Sequence, residues 1–323
     1  MERQSIIRKT ALGSAILGSS AGTIITEDAR AEENIGMEIE RSIPGKPHKG
    51  KVFVAVQAHI TDVPRYAAGT VAKMINEGYT GYLIRTSNDE KNGAGTRFEN
   101  ILSSEQENAT MAKALGFTDV FDFYYRNYRM NGISPIEIRG RLIYLFRYLK
   151  ADTVLTFNPR REGEKNPDHW VTGQAVDEAC WMAGNGNEYP YHMDGGVMPY
   201  TVREQYNFVA SSDQPFNRIV DISSTIEQKI NSIVACKSQG EGSFGSQLRK
   251  RLIKEGKHLP ILGNDDETAD HEYVRHFLLK KYASFDGIEK TGLEYAERFF
   301  YIDNRSQRKS EIDEYIEKNA VSL

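Results

Sequence analysis

The chain has 323 residues, 39% of them apolar, and a formal net charge of −4, which suits one large α/β domain or two small ones with a substantial core. Neither that charge nor any Lys/Arg stripe interleaved with aromatics points to nucleic acid. Two cysteines, Cys180 and Cys236, make neither a disulfide framework nor a cysteine-ligated zinc site; both fall in segments that read as helices, as buried small residues.

The N-terminal stretch has a basic start (Arg3, Arg8, Lys9), a small apolar run from Thr10 to Ile25, and an Ala29-Arg30-Ala31 ending of the small-x-small cleavage type. The run is too short and too rich in Gly and Ser to span a membrane. The expectation is an export signal over residues 1–31, with the mature chain periplasmic or extracellular and without a stable membrane span. The alternative is a cytosolic tail. Gln4 stands where a twin-arginine signal has its second arginine, so the route, Tat or Sec, stays open. Residues 32–50 are polar, with Gly45, Pro47 and Gly50, and read as a linker.

From Lys51 the pattern changes. KVFVAVQAH is a nearly continuous apolar run, as a strand buried on both faces requires. VPRYAAGTVAKMINEG follows as a helix, with Pro64 near its start and Gly78 at its end. YTGYLIRTS reads as a second strand. SSEQENATMAKALG reads as a helix capped by Ser103 or Ser104 and closed by Gly116. DVFDFYYRN is a third strand. SPIEIRGRLIYLFRYLK is a helix with Ser134 at its cap and Pro135 in its first position. DTVLTFNP is a fourth strand and HWVTGQAVDEACWMAG another helix. Beyond these lie a strand-like FNRIVDIS, a helix STIEQKINSIVACKSQ and a charged helical region from about Asp265 to Tyr282.

This alternation predicts a Rossmann-like three-layer αβα fold with a mainly parallel sheet. The domain is expected over 51–302, with a helical elaboration at about 240–290 and a charged tail over 303–323. Ligands of such sheets sit beyond the carboxyl ends of the strands. His59 ends the first strand and NPRREGEKNPDH follows the fourth, so both reach the same edge.

A catalytic zinc takes three N/O ligands and keeps a position for water, whose pKa it lowers toward about 7. His59 and Asp62, three apart across a strand-to-helix turn, can face one point, and His169 opens the helix after the fourth strand. Together they form a His-Asp-His set. Such a set accepts several divalent ions, Fe2+ among them, so Zn2+ is the first choice of metal and not the only one.

With these motifs in place the chain resembles the PIG-L (LmbE-like) zinc de-N-acetylases, which remove acetyl from N-acetylglucosaminyl conjugates. Ala58-His59-Ile60-Thr61-Asp62 matches the family's A-H-P-D-D, and Asn166-Pro167-Asp168-His169 its H-P-D-H. TSNDEKNGAG, EQENATMAKALGF, RIVDISSTIEQKINSIVACKSQ and YAERFF match further family segments, so the likeness spans roughly residues 50–302. It implies hydrolysis of an N-acetyl group on a sugar or glycoconjugate, with the metal on His59, Asp62 and His169. The family's general base falls on Thr61 and the first histidine of its second motif on Asn166. A threonine hydroxyl takes no proton from water at neutral pH, and Asn donates a hydrogen bond but shuttles no proton. Asp168 is then the first choice for proton transfer, with Glu164, Asp89 and Glu90 as further carboxylates, and Asn166 polarises the oxyanion. The competing expectations are a zinc enzyme of another reaction type and a non-catalytic, metal-stabilised carbohydrate-binding protein.

Other residues carry two readings each. Arg85 and Arg97 either hold a sugar or phosphate oxygen or are surface cations, and Trp170 either stacks on a sugar or packs in the core. His192, in a Gly/Asn-rich loop, either touches substrate or is exposed; Asp265 begins a solvated helix rather than a second metal site, and Asp221 caps the following helix or ends a strand. No G-x-G-x-x-G follows the first strand and no G-x-S-x-G elbow occurs, against a dinucleotide site and a serine hydrolase.

Overall fold

A strand covered on both faces needs an apolar residue at every position, and Val52–Gln57 (β2) has almost nothing else. In this computed structural model Phe53 and Ala55 point into one apolar layer while Val54 and Val56 point into another. The structure describes residues 37–160, 162–285, 288–304 and 311–321. The expected export signal at 1–31 lies outside them.

In chain order the elements are β1 (Glu38–Glu40), β2, α1 (Asp62–Tyr66), α2 (Ala68–Asn76), β3 (Thr80–Ser87), α3 (Arg97–Leu115), β4 (Asp119–Tyr125), α4 (Pro135–Leu149), β5 (Thr153–Phe157) and α5 (Pro167–Met182). There follow α6 (Tyr191–Asp194), β6 (Glu204–Phe208), β7 (Arg218–Asp221), α7 (Ile226–Val234), α8 (Phe244–Lys254) and α9 (Asp266–Tyr273). A π-helical turn, Val274–Leu278, joins α9 to α10 (Leu279–Tyr282), and β8 (Ala296–Asp303) and α11 (Glu311–Asn319) complete the order. Eight strands form one sheet in the order β1-β7-β8-β6-β5-β2-β3-β4. Every pairing is parallel except those of β8, which runs antiparallel to both β6 and β7. One core layer lies under α1, α2, α3 and α7, and the other under α4 and α5, so the fold is the expected three-layer αβα. No helix among the described residues is long and apolar enough to cross a membrane.

β8 is a strand that the sequence reading does not contain, and three further elements depart from it, each for a physical reason. β1 falls inside the expected linker: it is only three residues long and gains its place by pairing with β7. β6 reads Glu-Gln-Tyr-Asn-Phe, and its polar Gln205 and Asn207 are buried, so it carries no apolar run. α3 begins at Arg97 rather than near Ser103, because Thr96 and Glu99 form a reciprocal capping box: Glu99 N donates to Thr96 Oγ1 at 3.3 Å and Thr96 N to Glu99 Oε2 at 2.8 Å. The far end of α3 is as read, with Gly116 left-handed at φ 85°.

Candidate metal centre

The turn after β2 is built by one carboxylate. Asp62 Oδ2 accepts the backbone N–H of Ala58 at 3.1 Å and of His59 at 2.6 Å, while Asp62 N donates to His59 O. Gln57 locks the next step, its Oε1 accepting from Val63 N at 3.1 Å. The chain therefore leaves the sheet with His59 and Asp62 facing the same point. α5 supplies the third residue. Asn166 caps it through Oδ1, which accepts from Asp168 N at 3.0 Å, and Pro167 occupies its first turn. Gly173 lets α5 lie close on β5: a Cβ there would sit 2.8 Å from Phe157 O. His169 is thereby pressed against the strand end, its ring stacked on Phe157 with centroids 4.1 Å apart.

His59, Asp62 and His169 are buried and present ligand atoms all within 4.8 Å of one another. His59 Nδ1 and His169 Nε2 approach to 3.0 Å, and Asp62 Oδ1 lies 3.4 Å from His169 Nε2. Each imidazole turns its other nitrogen to a carboxylate. His59 Nε2 meets Asp168 Oδ2 at 3.2 Å, and His169 Nδ1 meets Glu164 Oε2 at 2.9 Å. Asp62 Oδ1 is a buried oxygen without a hydrogen-bond partner, and such an atom is destabilising unless something pairs with it. Two inward nitrogens, one orphaned carboxylate oxygen and two outer carboxylates form the donor set of a divalent cation such as zinc, and the residues fit it.

Charge in the site follows this geometry. Burial alone would lower both imidazoles; the Asp62 carboxylate, joined by Asp168 at His59 and Glu164 at His169, overrides it and holds both above their ordinary value. Burial would raise Asp62, but the two imidazoles drive it far below the carboxylate range.

The remaining expected residues take other places. Asp168 sits among several donors. Besides His59, its oxygens accept from Tyr128 N at 2.6 Å, Asn127 Nδ2 at 3.2 Å and Met130 N at 3.3 Å, so it orients His59. Glu164 is half-buried and accepts from His169 Nδ1 at 2.9 Å and from Asn166 N at 2.7 Å. Asp89 accepts from Ile60 N, Arg85 and Asn92, and burial raises its pKa against the pull of His59 and Arg85. Glu90 pairs with Arg126 at 3.0 Å. Thr61 is buried and donates its hydroxyl to Gln239 Oε1 at 3.1 Å. Asn166 lies in the site, its Nδ2 3.3 Å from His169 Nε2.

Arg85 is not a surface cation: it is fully buried, held by Asp122, by Ser104 at 3.0 Å and by Asp89 at 3.3 Å. It braces the loop after β3, and its Nη2 is buried without a hydrogen-bond partner. Trp170 packs against the apolar layer under α4 and α5. His192 is buried, 3.1 Å from Arg147, rather than exposed. Arg97 is exposed in the first turn of α3. Asp265 caps α9 through Thr268 N at 2.8 Å, and Asp221 accepts from Ser223 N at 3.0 Å. The sequence reading missed Tyr128, Asn127 and Gln239. No motif marks the first two; Gln239 belongs to the Ser-Gln segment already singled out, but its reach to Thr61 depends on where α7 packs.

A parallel sheet that presents a His-x-x-Asp turn and a helix-opening histidine at one edge defines a class, and comparison agrees. The family model described as PIG-L: GlcNAc-PI de-N-acetylase matches residues 54–180 of this chain. That segment includes His59, Asp62 and His169. Among solved structures, an N,N'-diacetylchitobiose deacetylase from Pyrococcus horikoshii is similar at TM-score 0.61 and 20% identity, over 82% of this chain and 89% of that one. A conserved protein from Thermus thermophilus is similar at TM-score 0.55 and 18% identity, over 76% and 92%. GalB, the 4-carboxy-2-hydroxymuconate hydratase from Pseudomonas putida, is similar at TM-score 0.55 and 18% identity, over 78% and 96%. At these identities the likeness is one of fold, and the fold carries more than one chemistry.

Proposed function

We propose that the protein is a metal-dependent hydrolase, zinc its first-choice metal, that removes acetyl from an N-acetylated sugar or glycoconjugate. The observation that carries this reading is the pair of imidazoles, each with one nitrogen on an outer carboxylate and the other turned inward toward Asp62, whose Oδ1 has no hydrogen-bond partner. The PIG-L match supports the reaction class. Zinc, when bound, supplies a Lewis acid and lowers the pKa of water toward about 7. His59, Asp62 and His169 would hold it. Asp168 and Glu164 fix which nitrogen of each histidine is free to do so. Asn166 Nδ2, facing the inward nitrogen of His169, donates to the acyl oxygen as negative charge grows there.

The family's base position remains Thr61, and the four nearby carboxylates are engaged. A positioned base contributes about 10² to 10⁴ in rate, so the unaided site is a slow one. The same observation favours a second reading, a metal-stabilised carbohydrate-binding protein without catalysis. Export of the chain is a further proposal and rests on the N-terminal residues.

Acetate release from a panel of N-acetylated sugars separates these readings, using the zinc-loaded chain with Thr61→Asp and His169→Ala beside it. Release by the wild type that disappears in His169→Ala establishes the hydrolase, and Thr61→Asp then raises the rate by about 10² or more. Release by Thr61→Asp alone supports the binding protein. Silence from both, with zinc bound, overturns the deacetylase reading for that panel.

A further inference from the structure

We propose that Tyr128 is the platform on which a sugar ring lies beside the metal centre, so that the site selects cyclic N-acetyl sugars over acyclic N-acetyl amines. This rests on the sugar-acting reading of the site. Two aromatic rings beyond the histidines themselves contact the ligand imidazoles among the described residues. Phe157, on His169, is buried. Tyr128, with its centroid 6.0 Å from that of His59, is 43% exposed. His59, Asp62 and Thr61 are almost wholly covered, whereas Asn166 and Glu164 are half-buried. Tyr128 thus offers an exposed aromatic ring beside the buried ligands.

The ring is also held in place. Tyr128 has φ 57°, a left-handed conformation unfavourable for a bulky residue. It is kept there by its own N–H on Asp168 at 2.6 Å and by its hydroxyl on Asn92 Oδ1 at 3.3 Å. The backbone bond ties the ring to the same carboxylate that orients His59, so platform and metal ligand share one anchor. The Lys91 ammonium lies over the ring, 5.5 Å from its centroid, and adds a hydrogen-bond donor next to it. An exposed, immobilised aromatic face with a cationic donor beside it suits a pyranose, whose C–H face is apolar and whose edge carries hydroxyls. An acyclic acetamide has no such face. Trp170, the aromatic next to His169 in sequence, packs into the core instead.

The test compares the zinc-loaded wild type with Tyr128→Ala, Tyr128→Gly and Tyr128→Phe. Dissociation constants are read by ligand-observed NMR for methyl 2-acetamido-2-deoxyglucopyranoside and for N-acetylethanolamine, with zinc content and acetate release measured alongside. Tyr128→Ala and Tyr128→Gly, the latter free of backbone strain, weaken sugar binding by about three- to tenfold. Both leave the acyclic probe and the zinc content as in the wild type, and Tyr128→Phe binds the sugar within twofold of the wild type. Unchanged sugar binding in Tyr128→Gly, equal weakening of both probes, or a wild type that does not prefer the sugar overturns the proposal. If the sugar depends on Tyr128 and no variant releases acetate from any substrate, the hydrolase reading falls and the platform stands.

Discussion

Four donors meet at the Asp168 carboxylate, and that number decides its role. His59 Nε2, Asn127 Nδ2 and Tyr128 N converge on its Oδ2 and Met130 N reaches its Oδ1, so the carboxylate binds the 127–130 loop to His59 and orients that ring. Removing its charge weakens the site indirectly. Asp168→Asn presents an amide where Tyr128 N and His59 need an acceptor, and zinc affinity falls by about 10- to 100-fold, read by competition with a chromogenic chelator. Unchanged affinity would show that His59 is oriented by its own backbone. At this scale the ligands were legible in sequence because H-x-x-D and P-D-H are local patterns. The role of Asp168 was not, because its partners lie about forty residues away in a loop with no motif.

At the scale of elements, β1 shows how a strand too short for any pattern is fixed by one side chain. Glu40 accepts from Lys73 Nζ at 2.7 Å, Tyr206 Oη at 2.8 Å and Arg218 Nη1 at 3.1 Å, tying α2, β6 and β7 to one point. Burial pushes the Glu40 carboxyl up, but Lys73, Tyr206 and Arg218 outweigh it and set the value below 4.5. A folded pKa below the unfolded one contributes stability above about pH 4.5 that is lost as pH falls through the folded value. Glu40→Gln therefore destabilises at pH 7 by about 1–3 kcal/mol, and the gap to the wild type narrows below pH 4.5. Urea unfolding at pH 7, 4.5 and 3 checks this; a gap independent of pH contradicts it. β2, β3 and β5 were readable because both of their faces are apolar or covered. β6 and β8 were not, since they bury Gln205, Asn207 and Glu297, whose partners come from elsewhere in the fold. Glu297, for instance, meets Lys229 Nζ at 2.6 Å and the N–H groups of Gly69 and Thr70.

Across the whole molecule the metal centre joins the end of β2 to the start of α5, segments more than a hundred residues apart. A ligand that binds only the folded chain stabilises it by mass action, about 2.7 kcal/mol at a free concentration one hundred times Kd. Zinc accordingly raises the melting temperature of the wild type, EDTA reverses the rise, and His169→Ala shows neither effect in differential scanning calorimetry. An equal shift in His169→Ala would place the ion elsewhere.

β8 lies between β6 and β7, antiparallel to both, and is built from residues 296–303. A ribosome makes that seam after every other strand of the sheet. Until it emerges, β6 has a bare edge and the β1–β7 pair has no bridge to the rest of the sheet, although β1 was made some 250 residues earlier. The nascent chain thus carries an unfinished sheet through all of that interval, and an edge in that state is a template for unwanted pairing. Closure waits on the eighth strand.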